Sequence, residues 1–332
     1  MDPGGQPTTL LAGDIGGTKT LLALYTMGGQ QLELVHSHRY VSAEWPDLAP
    51  MVRAFLGSEQ VPAAACFAVA GPVEGDRARL TNLPWQLSEC GLSRNTGIGR
   101  VDLVNDFAVL IYGLPHLEPQ QQACIHEGSA LAGEPLLVLG AGTGLGVAFG
   151  LPGPEGLTAV ASEAAHAEFA PRTQKEWELK QWLQQDLALE RLSIERVVSG
   201  TGLGHVTRWL LQRRDPEGCH PLRQAGDDLP AASATAAAGG DPLAGEALAL
   251  WLEAYGSVCG DLALGALARG GIWLAGGTAG KLLEPLRSHR FRQAFLAKGR
   301  LSRLLEAIPI TAVIDPAIGQ FSAACRARML VG

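Results

Sequence analysis

Short apolar runs separated by glycine-rich turns dominate the N-terminal third of the chain. Thr8–Ala12 and Lys19–Tyr25 flank Asp14-Ile15-Gly16-Gly17-Thr18, which predicts a hairpin whose turn uses glycine for positive φ. Leu32–Tyr40 predicts a third strand, Asp47–Leu56 carries apolar residues at helical spacing, and Ala63–Ala70 is a short buried strand stopped by Gly71-Pro72. Val101–Val104 is strand-like again, followed by the polar pair Asn105-Asp106 and a helical pattern over Phe107–Tyr112. Pro135–Leu139, the turn Gly140–Gly146 and the run Val147–Phe149 repeat the N-terminal arrangement, a weak internal duplication with one glycine hairpin in each half.

Beyond Pro171 the pattern turns helical, over Lys175–Leu192 and then Gly202–Arg213. Cys219–Gly240 has no clear period in its first half and reads as an exposed connection. Asp241-Pro242 is a cap and first-turn pair for a long helix running towards Ala268, with Gly270-Gly271 as its end. Ile272–Ala275 predicts a strand before Gly276-Gly277, Arg287–Leu305 a helix, Pro309–Asp315 a strand and Gly319–Leu330 a final helix. Strands alternating with helices on this scale predict an α/β fold.

Composition narrows the class. At 332 residues the chain has room for about two domains of ~150 residues each. Hydrophobic residues at 47% and charged residues at 18% are globular composition, not that of a disordered chain. A net charge of −7 without a basic stripe excludes nucleic acid as an expected partner. The apolar stretch Leu262–Gly277 is broken by Arg269, and Met1–Gly5 lacks a positively charged segment before an apolar core. We therefore expect no membrane span, no signal peptide and a cytoplasmic location. The six cysteines (Cys66, Cys90, Cys124, Cys219, Cys259, Cys325) form no Cys-x-x-Cys pair and read as reduced, small buried hydrophobes. Glycine, at 42 residues, is in excess and suggests backbone brought close to something.

Three glycine turns follow three apolar strands, at Gly16-Gly17, Gly140–Gly146 and Gly276-Gly277, and backbone N–H groups at such turns can line up on phosphate oxygens. Neither common nucleotide motif is present. A dinucleotide fingerprint from Gly140 would need glycine where Leu145 stands, and Gly-x-x-x-x-Gly-Lys-Ser/Thr occurs nowhere. Asp14, beside Thr18 and Lys19, is placed to hold Mg²⁺ through water, although Asp-x-Gly-Gly alone is an ordinary turn sequence. Asp106 suits either an N-cap or a base at a strand end, next to an Asn105 amide that can donate to and accept from a hydroxyl. Glu163, His166 and Glu195 are individually ordinary surface residues and together describe a set that could grip sugar hydroxyls.

Leu11-Ala12-Gly13-Asp14-Ile15-Gly16-Gly17-Thr18, Ala70-Gly71-Pro72 with Thr81-Asn82-Leu83-Pro84-Trp85, Val104-Asn105-Asp106-Phe107, Gly140–Gly146, Glu195-Arg196-Val197-Val198-Ser199-Gly200 and Leu274-Ala275-Gly276-Gly277 stand in the order seen in bacterial glucokinases. The chain resembles that family over nearly its whole length. The resemblance implies a two-lobed actin-like ATPase (ribonuclease H-like) fold with the ligand cleft between the lobes, residues 1–115 with 316–332 forming the small lobe and 116–315 the large one. It implies ATP-dependent phosphorylation of glucose to glucose 6-phosphate with Mg²⁺, and makes a homodimer plausible.

By the same resemblance Asp106 is the general base on the 6-hydroxyl, with Asn82, Asn105, Glu163, His166 and Glu195 around the sugar. Asp14, Gly16, Gly17, Thr18 and Lys19 face the nucleotide from the small lobe, Gly142, Thr143 and Gly144 face its phosphates from the large lobe, and Gly276 and Gly277 face the adenosine. Amides at a helix N-terminus are expected to keep Asp106 ionised at a near-normal pKa. Ala164-Ala165 departs from the family's Gly-Gly and puts sugar preference among glucose, mannose, fructose and N-acetyl hexosamines in question. The Cys-rich zinc motif of the repressor-and-kinase sugar family is missing, so no structural zinc is expected. A non-catalytic sugar sensor of the same fold and a phosphate-ester hydrolase are the rival readings. The first would need an added DNA-binding segment, and the second has no use for the hydroxyl-binding set.

Overall fold

In a computed structural model that describes residues 8–29, 31–80, 83–154 and 156–332, the N-terminal hairpin forms as two antiparallel strands, β1 (Thr8–Ile15) and β2 (Lys19–Gly28), with Ile15 opposite Thr20. Its turn corrects the expectation of positive φ at Gly16. What requires glycine there is close approach, since a Cβ on Gly16 would sit 2.9 Å from the Lys19 carbonyl oxygen.

The chain divides into two units. The first comprises residues 1–117, 155–161 and 315–332. After β2 come β3 (Gln31–Val41), α1 (Leu48–Leu56), β4 (Ala64–Val69), the short strands β5 (Val73–Glu74), β6 (Arg77–Arg79) and β7 (Gln86–Ser88), α2 (Glu89–Thr96), β8 (Val101–Asn105) and α3 (Leu110–Gly113). Five strands make one sheet in the order β3-β2-β1-β4-β8, with β1, β4 and β8 mutually parallel. Strands covered on both faces read as continuous apolar runs, and every residue of β4 is buried. Leu11, Ile15, Phe67 and Val69 on one face share a core with Met51 and Val52 of α1 and Leu92 of α2. The C-terminal helix (Ile318–Val331) packs on β1, β4 and α3, and its Gln320 Nε2 donates to Tyr25 Oη at 3.0 Å.

The second unit comprises residues 118–154 and 162–314. Its elements are β9 (Gln122–His126), β10 (Leu136–Ala141), β11 (Leu145–Gly153), α4 (Gln174–Asp186), α5 (Gly200–Arg214), α6 (Leu229–Ala238), α7 (Pro242–Ala266), β12 (Gly271–Ala275), α8 (Gly277–Lys281), α9 (Leu283–Leu286), α10 (His289–Leu296), α11 (Ser302–Glu306) and β13 (Ile310–Val313). Five strands of its sheet run in the order β11-β10-β12-β13-β9, with β10, β12 and β13 parallel. Leu137 and Leu139 share their core with Trp209 of α5, Trp251 and Tyr255 of α7, and Phe291 and Phe295 of α10. The helix α7 is long and apolar enough to cross a membrane by length and composition, yet 67% of its apolar window is buried inside the protein.

Several sequence expectations are corrected. Cys219–Gly240 is not an open connection, because its alanine-rich second half forms α6, as the high helix propensity of alanine favours. The helix predicted over Lys175–Leu192 stops at Asp186, where Ala188 takes φ 50°. The long helix α7 ends at Leu267, in the left-handed region at φ 48°, before Gly270-Gly271. Gly270 is needed for a different reason, since a Cβ there would lie 2.5 Å from the Glu134 carbonyl oxygen. Arg287–Leu305 is broken at Ala297, whose ψ of 59° is not helical. Over Phe107–Tyr112 the bonds Leu110 N–H to Phe107 O and Ile111 N–H to Ala108 O tighten the first turn, and only Leu110–Gly113 is α-helical. Of the cysteines, Cys66, Cys259 and Cys325 are buried, whereas Cys90, Cys124 and Cys219 are exposed.

Candidate active site

In the first unit the parallel register Ile15↔Val69↔Asn105 brings the carboxyl ends of β1, β4 and β8 level, where open α/β sheets place their ligands. Asp14 is the penultimate residue of β1, and Asn105 and Asp106 lie at the end of β8. The connection is tight, with Asp106 N–H donating to Val69 O and Ala70 N–H to Ile15 O, both at 2.9 Å.

Asn105, rather than Asp106, caps the following turn. Its Oδ1 accepts from the N–H groups of Phe107 (3.1 Å) and Ala108 (3.0 Å), while its Nδ2 donates to Asp106 Oδ1 at 3.0 Å and to Gly71 O at 3.3 Å. Gly71 is fixed by space, since a Cβ would meet Arg79 O at 2.3 Å. Asp106 is thereby released from capping and presents a solvent-accessible side chain held in one orientation. The near-normal pKa expected for it is corrected: desolvation by the surrounding protein pushes it up to about 6, the like charge of Asp14 adds to this, and the hydrogen bond from Asn105 opposes it.

Asp14 is half-buried, and burial raises its pKa while Arg39 on β3 pulls it back. The first turn of the C-terminal helix reaches it, a Cβ on Gly319 lying 3.7 Å from Asp14 Oδ2. Among the described residues no group of three or more His, Cys, Asp or Glu is arranged to hold a metal. A lone carboxylate in a desolvated position, with a second carboxylate acting on the same region, suits Mg²⁺ that keeps water and binds through a nucleotide's phosphates.

The turn Gly16–Lys19 carries half-buried glycines and exposed Thr18 and Lys19. Sequence reasoning missed its brace. Buried Ser42 donates its hydroxyl to Gly16 O at 2.8 Å, its N–H to Thr18 O at 3.0 Å, and lies 3.0 Å from Thr20 Oγ1.

In the second unit Gly142, Thr143 and Gly144 form the turn between β10 and β11, with Gly142 N–H donating to Gly144 O at 2.8 Å. Gly140 pairs in parallel with Ala275, so this turn and Gly276-Gly277 leave the ends of neighbouring strands. Gly276 has φ 81°, and Thr278 Oγ1 ties the second turn to Ala141 O at 2.6 Å. Gly276-Gly277 therefore opens helix α8 rather than closing a hairpin.

Glu163 and His166 sit on one 3₁₀ turn with Oε2 and Nε2 3.5 Å apart, both largely exposed. Glu195 lies on a second 3₁₀ turn, Ile194–Arg196, joined to the first by Ile194 N–H donating to Ala167 O at 2.9 Å. Ala164 and Ala165, the departure from Gly-Gly, both pack with the hydrophobic core. The structure thus brings Asp14, Asn105 and Asp106 together in one unit, and Gly142–Gly144, Gly276-Gly277, Glu163, His166 and Glu195 in the other. Asn82 lies outside the described residues.

Comparisons with known proteins place the whole chain in one family. A family model described as Glucokinase matches residues 11–330. The glucokinase of Nostoc punctiforme is 38% identical, over 97% of this chain and 100% of its own length, and that of a Synechocystis species is 40% identical over 98% and 99%. The crystal structure of a glucokinase from an Antarctic psychrotroph superposes with a TM-score of 0.85 at 28% identity, covering 97% of this chain and 99% of the other. The fold is the two-lobed actin-like ATPase fold of these kinases. Matched by the family model from residue 11 to residue 330 and aligned with such relatives almost end to end, the chain belongs to the glucokinase family.

Proposed function

We propose that the chain transfers the terminal phosphoryl group of ATP to the 6-hydroxyl of glucose, giving glucose 6-phosphate, with Asp106 as the general base. ATP-dependent hexose phosphorylation is the activity of the family to which it belongs. The observation that supports Asp106 in this role is its release from capping by Asn105, which also fixes its orientation. Phosphoryl transfer runs through a loose transition state, so acceleration comes chiefly from alignment and from dispersing charge on the phosphate oxygens. A base is needed to orient the hydroxyl and take its proton late, an effect of ~10²- to 10⁴-fold that is largest when its pKa lies near the working pH.

In this reading Asn105, Glu163, His166, Glu195 and Asn82 bind sugar hydroxyls. Gly16, Gly17, Thr18, Lys19, Gly142, Thr143 and Gly144 face the phosphates, and Gly276 and Gly277 face the adenosine. Asp14 holds Mg²⁺ through water, and the ion when bound supplies charge neutralisation on the phosphates. A cytoplasmic homodimer belongs to the same reading, and light scattering on the purified protein tests the dimer. The function is tested with a panel of hexoses and Mg·ATP by coupled ADP release. Glucose should stimulate release most, and ADP release that no hexose stimulates would overturn the assignment.

A further inference from the structure

Glu195 touches the glycine turn as well as lying among the hydroxyl-binding residues. Its Oε2 accepts from the N–H of Leu145, the residue that follows the Gly142–Gly144 turn, at 2.9 Å. An ionised carboxylate on a backbone N–H is a charge-assisted bond, about twice as strong as a neutral one. The contact is close, since a Cβ on Gly144 would sit 2.4 Å from the same Oε2 and would make the carboxylate move. The segment that carries Glu195 then grips the rest of the turn. Gly200 N–H donates to Gly142 O at 2.7 Å, Thr201 Oγ1 donates to Thr143 O at 2.8 Å, and Ser199, the N-cap of α5, donates its hydroxyl to the Glu195 carbonyl at 2.8 Å. Residues 195–201 and 142–145 are therefore one hydrogen-bonded body. Among the described residues no hydrogen bond reaches Glu195 Oε1, which is left for a ligand's hydroxyl.

We propose that Glu195 is a positioning residue that couples hexose occupancy to the geometry of the phosphate-facing turn. A hydroxyl donated to Oε1 fixes the plane of the carboxylate, and with it the acceptor that orients Leu145 N–H and the turn before it. The inference rests on the reading of this unit as binding a hexose beside a nucleotide. Coupling between two ligands is reciprocal, so a nucleotide at the turn must change glucose affinity by the same factor as glucose changes nucleotide affinity, and a substitution at the Oε2 contact tests the link from the nucleotide side.

The test is calorimetric titration of glucose into the nucleotide-free protein, for wild type and Gly144→Ala, with steady-state kinetics of Glu195→Ala and Glu195→Gln. Gly144→Ala, which displaces Oε2, should weaken glucose binding roughly 5-fold or more without nucleotide present. Glu195→Ala should raise KM for Mg·ATP about tenfold at saturating glucose. Glu195→Gln keeps an oxygen for Leu145 N–H and should hold KM for Mg·ATP within about twofold of wild type while KM for glucose stays raised. A purely structural role would not separate the two KM values in this way. Wild-type glucose affinity in Gly144→Ala, or an unchanged KM for Mg·ATP in Glu195→Ala, overturns the coupling. Should Gly144→Ala not fold, the two Glu195 variants decide the matter alone. Wild-type protein that binds no hexose overturns the reading of the site itself, an outcome distinct from either.

Discussion

Asn105 serves Asp106 and the backbone with opposite ends of one amide: Nδ2 donates to Asp106 Oδ1 at 3.0 Å while Oδ1 accepts from the N–H groups of Phe107 and Ala108. The two ends can be separated by substitution. Asn105→Ala loses both and should cost about 0.5–2 kcal/mol of stability through the lost cap. Asn105→Asp still caps but cannot donate to Asp106 and adds a like charge beside it. We expect Asn105→Asp to keep the cap yet lose stability to the repulsion of its carboxylate by the Asp106 carboxylate and by Gly71 O, together with a loss of kcat, measured by scanning calorimetry and coupled assay. Full activity in Asn105→Asp would show that the donation to Asp106 is dispensable.

The raised pKa of Asp106, about 6, predicts a pH dependence. A base must be ionised, so kcat/KM for glucose should fall on the acid side with an apparent pKa near 6. The stability sign is the reverse. The folded-state pKa lies above the ordinary value of 3.8, so the folded protein binds the proton more tightly and loses stability as pH rises from about 4 through about 6. Asp106→Asn should therefore raise the Tm at pH 7.5 and change it little at pH 4, as seen in thermal melts at the two pH values.

Ser42 is buried and braces Gly16 O and Thr20 from behind the Gly16–Lys19 turn, which we propose faces the phosphates. Ser42→Ala leaves that carbonyl without its hydroxyl donor and should cost about 1–3 kcal/mol of stability. It should also raise KM for Mg·ATP with little change in KM for glucose. Denaturant melts and steady-state kinetics check the two effects.

Asp14 is the carboxylate expected to meet Mg²⁺. Asp14→Ala should impair use of Mg·ATP far more than glucose binding, and should alter the response to Mg²⁺ titration. A wild-type Mg²⁺ titration curve in this variant would remove Asp14 from the metal's surroundings.

The strand ends and the glycines after them are legible in the sequence because a strand, its turn and its polar terminus are contiguous: Asp14 before Gly16-Gly17, Asn105-Asp106 after Val101–Val104, and Gly142–Gly144 after β10 all come from local pattern. The braces are not legible, because each joins residues far apart in the chain. Ser42 reaches Gly16 over 26 positions, Thr201 reaches Thr143 over 58 and Thr278 reaches Ala141 over 137, and nothing in a serine or threonine announces such a partner. The raised pKa of Asp106 comes first from the protein packed around it and then from the like charge of Asp14 on a neighbouring strand of the sheet, and so follows only from the fold. The choice between Asn105 and Asp106 as cap was open for a related reason, both side chains being good caps, and the backbone path decides it. Helix ends at Asp186 and Leu267 escaped because non-glycine residues, Ala188 and Leu267, take positive φ there.

Whether Asp106 acts as the base is decided by Asp106→Ala, with turnover and glucose binding measured on the same preparation. We expect a folded protein that still binds glucose and has lost roughly 10²-fold or more of its glucose-dependent ADP release; near wild-type release would rule out Asp106 as the base.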